Sequence, residues 1–153
     1  MLFLLFQLAK DRYALDAGQV AEVLPWVGIK QIPQAPGEVA GIFNYRGAPV
    51  PVIDLSQLTL GQPAQRRLST RIILVRYPDD NNETRLLGLI AEKATETVRR
   101  EPADFVASGV TNAQASYLGP VATDARGLVQ WIDVKKLLPA SLRELLFKQL
   151  REH

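Results

Sequence analysis

Apolar residues in this chain come in short runs, each ended by a polar turn or by Gly and Pro, and that spacing predicts strands. "LFLLFQL" (Leu2 to Leu8) reads as a strand, "AKDR" as a turn, and "YALD" (Tyr13 to Asp16) as the returning strand of a hairpin. In "AGQVAEVLPW", Val20, Val23 and Leu24 have helical spacing, but Pro25 interrupts it. The expectation is a short helical turn running into a strand. Pro33 and Pro36 impose extended or turn geometry on "IKQIPQAPGEV". The apolar block Gly41 to Leu55 follows, then a helical turn, "SQLTLG", stopped by Gly61. "TRIILVRYP" and "TRLLGLIAEK" predict two strands joined by the turn "DDNNE", and "TETVRRE" predicts a separate one. "PADFVASGVTNAQAS" is turn-rich, and "YLGPVATD" and "GLVQWIDV" form a hairpin through Asp124 to Gly127.

Only the end predicts a longer helix. It starts at about Ser141, where Ser141 and Glu144 have the spacing of a capping box. Leu142, Leu145, Leu146 and Leu150 share one face, which reads as core packing before it reads as a partner-helix stripe. About nine or ten short strands with so little helix indicate a mainly β fold, a barrel or a sandwich. No repeat, low-complexity tract or linker divides residues 1–153, so the chain reads as a single domain in which any two lobes pack tightly.

Composition narrows the chemistry. The 153 residues are 47% apolar and 22% charged, ordinary for a globular domain with a real core. The net charge of +2 comes from interspersed acids and bases, which leaves no footprint for nucleic acid. Arg66-Arg67 and Arg99-Arg100 read as solvated pairs. There is no cysteine, and the one histidine is the last residue, His153, so no cysteine or internal histidine is offered for thiolate or imidazole chemistry. The acidic turn Asp79 to Glu83 lacks the spacing of a calcium loop, and no Gly-rich phosphate cradle is present. An enzyme built on paired carboxylates would need convergent acids, whereas the acids here fall at turns and strand ends. No cofactor is expected. "MLFLLFQLAKDR" lacks a basic leader region and a cleavage site, and no run approaches the ~18 apolar residues of a membrane helix. A soluble intracellular protein without membrane insertion is therefore the expectation.

The most informative stretch is "GIFNYRGAPVPVIDL". Gly47 supplies freedom at a tight turn, and Pro49 and Pro51 fit only an edge strand or a bulge. Val50, Val52, Ile53 and Leu55 would fill a small barrel, and Asp54 would cap the next helical turn. Arg46 then projects from the point of reversal with no partner nearby in sequence. Its guanidinium is either an idle surface charge or a recognition group.

These blocks resemble the CheW-like coupling proteins of bacterial chemotaxis-type signalling. The resemblance runs through "FQLAKDRYALDAGQVAEVLP", "IPQAPGEVAGIFNYRGAPVPVIDLSQLTLG", "RIILVRY", "LLGLIAEKATETV" and "YLGPVA…GLVQWIDVKKLL". It implies two packed five-stranded SH3-like barrels around a shared core, with a C-terminal helix and no active site. It also implies an adaptor that binds a chemoreceptor's cytoplasmic tip and the regulatory domain of a CheA-type histidine kinase. Such an adaptor works in the cytoplasm at membrane-associated receptor arrays, and self-association in array rings is a further implication. The receptor-facing residues it implies fall on Arg46, Asn44, Gly47 and Gly41, and on Val20 and Glu22 of a V-x-E stretch.

The chain departs from the family pattern at Tyr45, where leucine is usual, and at Lys93, where glycine commonly follows the acid. Those departures suit service to a non-flagellar chemosensory pathway. Each site also has a plainer reading: Glu22 as a solvated strand residue, Val20 as core, Asn44 as a turn-stabilising side chain. Trp26 is either an exposed anchor or a lid on the core. A peptide-binding SH3-like module is the rival interaction reading, but it needs an aromatic groove, and the aromatics are scattered.

Overall fold

The computed structural model describes residues 1–110 and 112–148. Nine strands, β1 (Leu2–Leu8), β2 (Asp11–Asp16), β3 (Val20–Pro25), β4 (Val39–Tyr45), β5 (Ala48–Asp54), β6 (Thr70–Pro78), β7 (Thr84–Arg99), β8 (Leu118–Asp124) and β9 (Gly127–Ile132), hydrogen-bond into one continuous sheet. It curls into two five-stranded barrels. In the first, β3, β6, the N-terminal part of β7, β5 and β4 follow one another, and an isolated bridge between Lys30 and Ile42 helps to close the ring. In the second, the C-terminal part of β7 pairs with β1, followed by β2, β9 and β8, with a bridge from Val106 to Val121.

Strand alternation builds the cores. Val50, Val52, Ile72, Leu74 and Ile90 fill the first barrel with Phe43. Phe3, Leu5, Ala14, Phe105 and Val129 fill the second, where Phe3 meets Trp131 edge-on at 4.9 Å between ring centroids. The intervening positions, Leu4, Phe6 and Leu8 of β1 and Leu89 and Ala91 of β7, face a larger shared core between the barrels. Ile53 and Leu55 belong to that shared core, so the apolar residues of the central block divide between the two layers.

"TETVRRE" is not a separate strand. It continues β7, which runs for 16 residues and serves both barrels. At the crossing, β1 advances from Leu5 to Gln7 while β7 moves from Glu96 to Glu92, a bulge that holds Lys93 at φ +53°. The Asp79–Glu83 turn joins β6 to β7, with Asp79 accepting from the backbone N–H groups of Asn81 and Glu83.

The helical turn after the central block is α1 (Leu55–Leu60), capped by Asp54 as expected, whose carboxylate accepts from Gln57 N at 3.2 Å. The terminal helix differs from expectation. α2 (Ala140–Arg143) begins one residue early, with Pro139 at the N-cap, and continues as a π-helical turn over Glu144–Lys148. The Pro139 carbonyl accepts from Arg143 N, so Ser141 lies inside the first turn and the Ser141–Glu144 capping box does not form. The stripe still docks inward. Leu142 and Leu146 are buried, and Phe147 stacks on Tyr77 at 5.5 Å. Leu150 lies outside the described residues.

Candidate functional site

The central block folds as the hairpin β4–β5, with only Arg46 and Gly47 between its strands. Both take positive φ, +51° and +88°. That is the geometry of a tight hairpin loop whose twist matches its strands, for which Asn-Gly is the common choice. Arg at the first loop position is strained, and Asn44 offsets part of that cost by accepting a hydrogen bond from Gly47 N at 2.8 Å. Pro49 and Pro51 face β4 only, because the parallel pairing of β5 with β7 begins at Val52. Prolines are tolerated on that edge and would not be beyond it. Phe43 and Val50 anchor the hairpin base in the first barrel's core.

Arg46 is 77% exposed, yet it has a partner that sequence proximity did not offer. Its Nη2 lies 3.4 Å from Glu22 Oε1, and its guanidinium sits over the Tyr45 ring at 5.1 Å. The Tyr45 hydroxyl donates to the same Glu22 oxygen at 3.2 Å. Glu22 comes from β3, which pairs with β6, and its hydrogen bond from Tyr45 ties β3 to β4 across the barrel. Two segments far apart in the sequence thus meet where Glu22 of β3 joins Tyr45 and Arg46 of the hairpin, while Val20 packs on the shared core instead.

Tyr45 was visible in the sequence only as a departure from the usual leucine. Here it is a third member of the cluster, and an aromatic adjoining the arginine was the available signal. Val20 is half-buried and packs against the shared core. Gly41 is buried, at φ +143°, where a Cβ would stand 2.1 Å from the Lys30 carbonyl oxygen. Its position lets the backbone of β4 meet Lys30 and close the barrel behind the hairpin. Trp26 packs partly on the first barrel's core and carries the Arg66 guanidinium on its outer face, 4.8 Å from the ring. That is the lid arrangement, and it gives Arg66 a contact that the solvated-pair reading missed.

Elsewhere the ionic contacts are structural. Arg12 of β2 forks onto Asp124 at the end of β8 with contacts of 2.9 and 2.5 Å, and also reaches the Gly127 carbonyl. Arg100 approaches the same carboxylate at 3.3 Å. The Arg12 hydrogen bond, helped by the Arg126 backbone N–H and the nearby charges of Arg12 and Arg100, holds the Asp124 carboxyl well below the usual carboxylate range. Among the described residues, no group of three His, Cys, Asp or Glu side chains comes together to hold a metal ion. No helix among them is long and apolar enough to cross a membrane.

The chain is similar to known proteins along nearly its whole length. The family model described as "CheW-like domain" matches residues 2–141. The chemotaxis protein CheW of Klebsiella aerogenes is 26% identical over 156 aligned residues, covering 99% of this chain and 89% of that protein. The chemotaxis protein CheW of Helicobacter pylori is 29% identical over 104 residues, 67% of this chain and 59% of that one. The crystal structure of the scaffolding protein TtCheW from Thermoanaerobacter tengcongensis superposes with a TM-score of 0.79 at 26% identity, covering 91% of this chain and 88% of that one. With a family match across nearly the whole chain, a related solved fold, and the N-x-R-G hairpin joined to the V-x-E strand, the chain belongs to the CheW-like family.

Proposed function

We propose that this chain is a non-catalytic adaptor that couples a chemoreceptor of the methyl-accepting type to a CheA-type histidine kinase in a chemosensory array. The observation that carries this reading is the hairpin tip. A mostly exposed guanidinium stands on a two-residue loop whose base is locked in a barrel core, where it can meet a carboxylate or carbonyl of a receptor helix. Little ordering is needed at such a base on binding, so the contact loses little to entropy. Arg46 and Glu22 are the contact residues in this reading, with Val20 beside them. Asn44 and Gly47 hold the turn, and Gly41 shapes the strand behind it. The kinase domain would use a separate surface, because an array needs both contacts at once. Each contact is expected near the small end of specific interfaces, about 1,000 Å² in total, with multivalency supplying the working affinity.

The test is a three-component binding experiment with purified receptor-tip fragment, kinase regulatory domain and this chain. A ternary complex is the expected result. Strict mutual exclusion of the two partners would refute the bridging role, and failure of both to bind would refute the adaptor reading.

A further inference from the structure

Where β7 passes from one barrel to the other, the structure forms a cleft of about 270 Å³. Leu8 of β1, Lys10 of the β1–β2 turn, Ser56 of α1, Ala64 and Arg67 of the following loop, and Glu92 of β7 line it. Glu92 is 8% exposed, and among the described residues its carboxylate accepts no hydrogen bond; its ion contact is with Arg67, whose Nη1 stands 4.0 Å from Oε2. That distance is too long for a hydrogen bond. An ion contact this long leaves the carboxylate oxygens able to take a closer cationic partner as well. Ser56, 6% exposed, adds a hydroxyl to the same wall. Arg67, which donates from Nη2 to Gln65 and faces Glu92 with Nη1, lines the cleft, and Lys10 stands exposed at its rim.

We propose that this cleft binds a small amino-carboxylate zwitterion, a free α-amino acid being the simplest case, with its ammonium on Glu92 and its carboxylate on Arg67. A lone cation would face Lys10 and Arg67, and a lone anion would leave Glu92 with no closer cationic partner. A zwitterion satisfies both signs. Its charged ends lie about 3 Å apart by standard bond geometry, so its dipole can lie antiparallel beside the Arg67–Glu92 pair. Leu8 and Ala64 leave room for a small apolar side chain. The site is distinct from the β4–β5 hairpin and stands apart from the adaptor reading.

The experiment is a titration of the full chain with L-alanine, followed by amide ¹H–¹⁵N shifts at Ala64 and Ala91. Saturable shifts with a millimolar Kd are expected. N-acetyl-L-alanine, which lacks the ammonium, and L-alaninamide, which lacks the carboxylate, should each bind at least ~10-fold more weakly, as expected for loss of one charged contact. Glu92→Gln, nearly isosteric, should weaken alanine binding to the same degree at an unchanged Tm. If that variant does not fold, Arg67→Ala, at an exposed loop, provides the same reading. Linear, unsaturated shifts would overturn the proposal, as would either derivative binding as well as alanine, or a folded variant binding like wild type.

Discussion

Replacing Arg46 tests the hairpin reading most directly, because stability and binding should separate. In the free protein Arg46 makes one ion pair at 3.4 Å, with side chains 77% and 36% exposed, and one cation–π contact with Tyr45. An exposed pair contributes about 0–1 kcal/mol, and an exposed cation–π contact about 0.5–1 kcal/mol. Arg46→Ala should therefore cost about 1 kcal/mol of stability, a Tm drop of roughly 2–4 °C for a domain of this size. If the guanidinium is an anchor on the receptor helix, its loss should cost about 2 kcal/mol or more of binding, roughly 30-fold in Kd. Arg46→Glu should weaken receptor binding further, since it places a second carboxylate against Glu22 and against any acid on the receptor. Kinase-domain affinity should stay within about twofold of wild type, because surface changes away from an interface are near neutral. Calorimetric melting, with titration against each partner, gives all three quantities from one set of variants. Normal receptor binding by a folded Arg46→Glu protein would reduce Arg46 to an idle surface charge and remove the central site residue.

Three other perturbations probe how the fold holds this site. Gly41→Ala should destabilise by about 3 kcal/mol or more, since the new Cβ meets the Lys30 carbonyl at 2.1 Å and the φ of +143° is itself unfavourable; a denaturant midpoint near wild type would contradict the strand geometry. Lys93→Gly should stabilise by about 0.5–1 kcal/mol, the relief of a left-handed φ less the entropy glycine loses on folding, and thermal melting checks the sign. The folded-state pKa of Asp124 lies below its unfolded value, so its contribution is complete above the unfolded pKa and is lost as pH falls through the folded one. Stability should therefore decline from about pH 4 downward, and Asp124→Asn should flatten that part of the pH–stability profile at the expense of stability at neutral pH.

Strand positions and the apolar core were legible in the sequence because short alternating runs and Gly/Pro turns are local signals. The hairpin at Asp124–Gly127, the cap at Asp54 and the helical turn before β3 all follow from neighbouring residues. The unity of β7 was hidden for a physical reason. Leu89 and Ala91 face the shared core, but the next β7 residue to do so is Ala94, because the bulge at Lys93 shifts the parity of the strand. A reader of alternation sees one strand end and another begin. The capping box failed similarly: the Ser-x-x-Glu spacing was present, but Pro139 had already taken the cap, and its carbonyl set the first turn.

The candidate site shows a different limit. Arg46, Gly47 and Asn44 could be placed on a hairpin from their own neighbourhood, but the partner of Arg46 comes from β3, brought there by barrel closure. Closure depends on the Lys30–Ile42 bridge, and that bridge depends on Gly41 having no side chain. In the adaptor reading, the same carboxylate that steadies Arg46 also competes with any receptor acid for it. Its exposed 3.4 Å contact is weak enough to give way to a desolvated one. Glu22→Gln separates these two roles. If Glu22 mainly steadies Arg46 or itself meets the receptor, the variant should bind receptor more weakly; if it mainly competes, binding should tighten. The hydrogen bond from Tyr45 to Glu22 and the Tyr45 ring under Arg46 favour the first outcome, since together they fix the guanidinium from two sides. A several-fold gain in receptor affinity for Glu22→Gln would show instead that the free-state pair restrains Arg46 from binding.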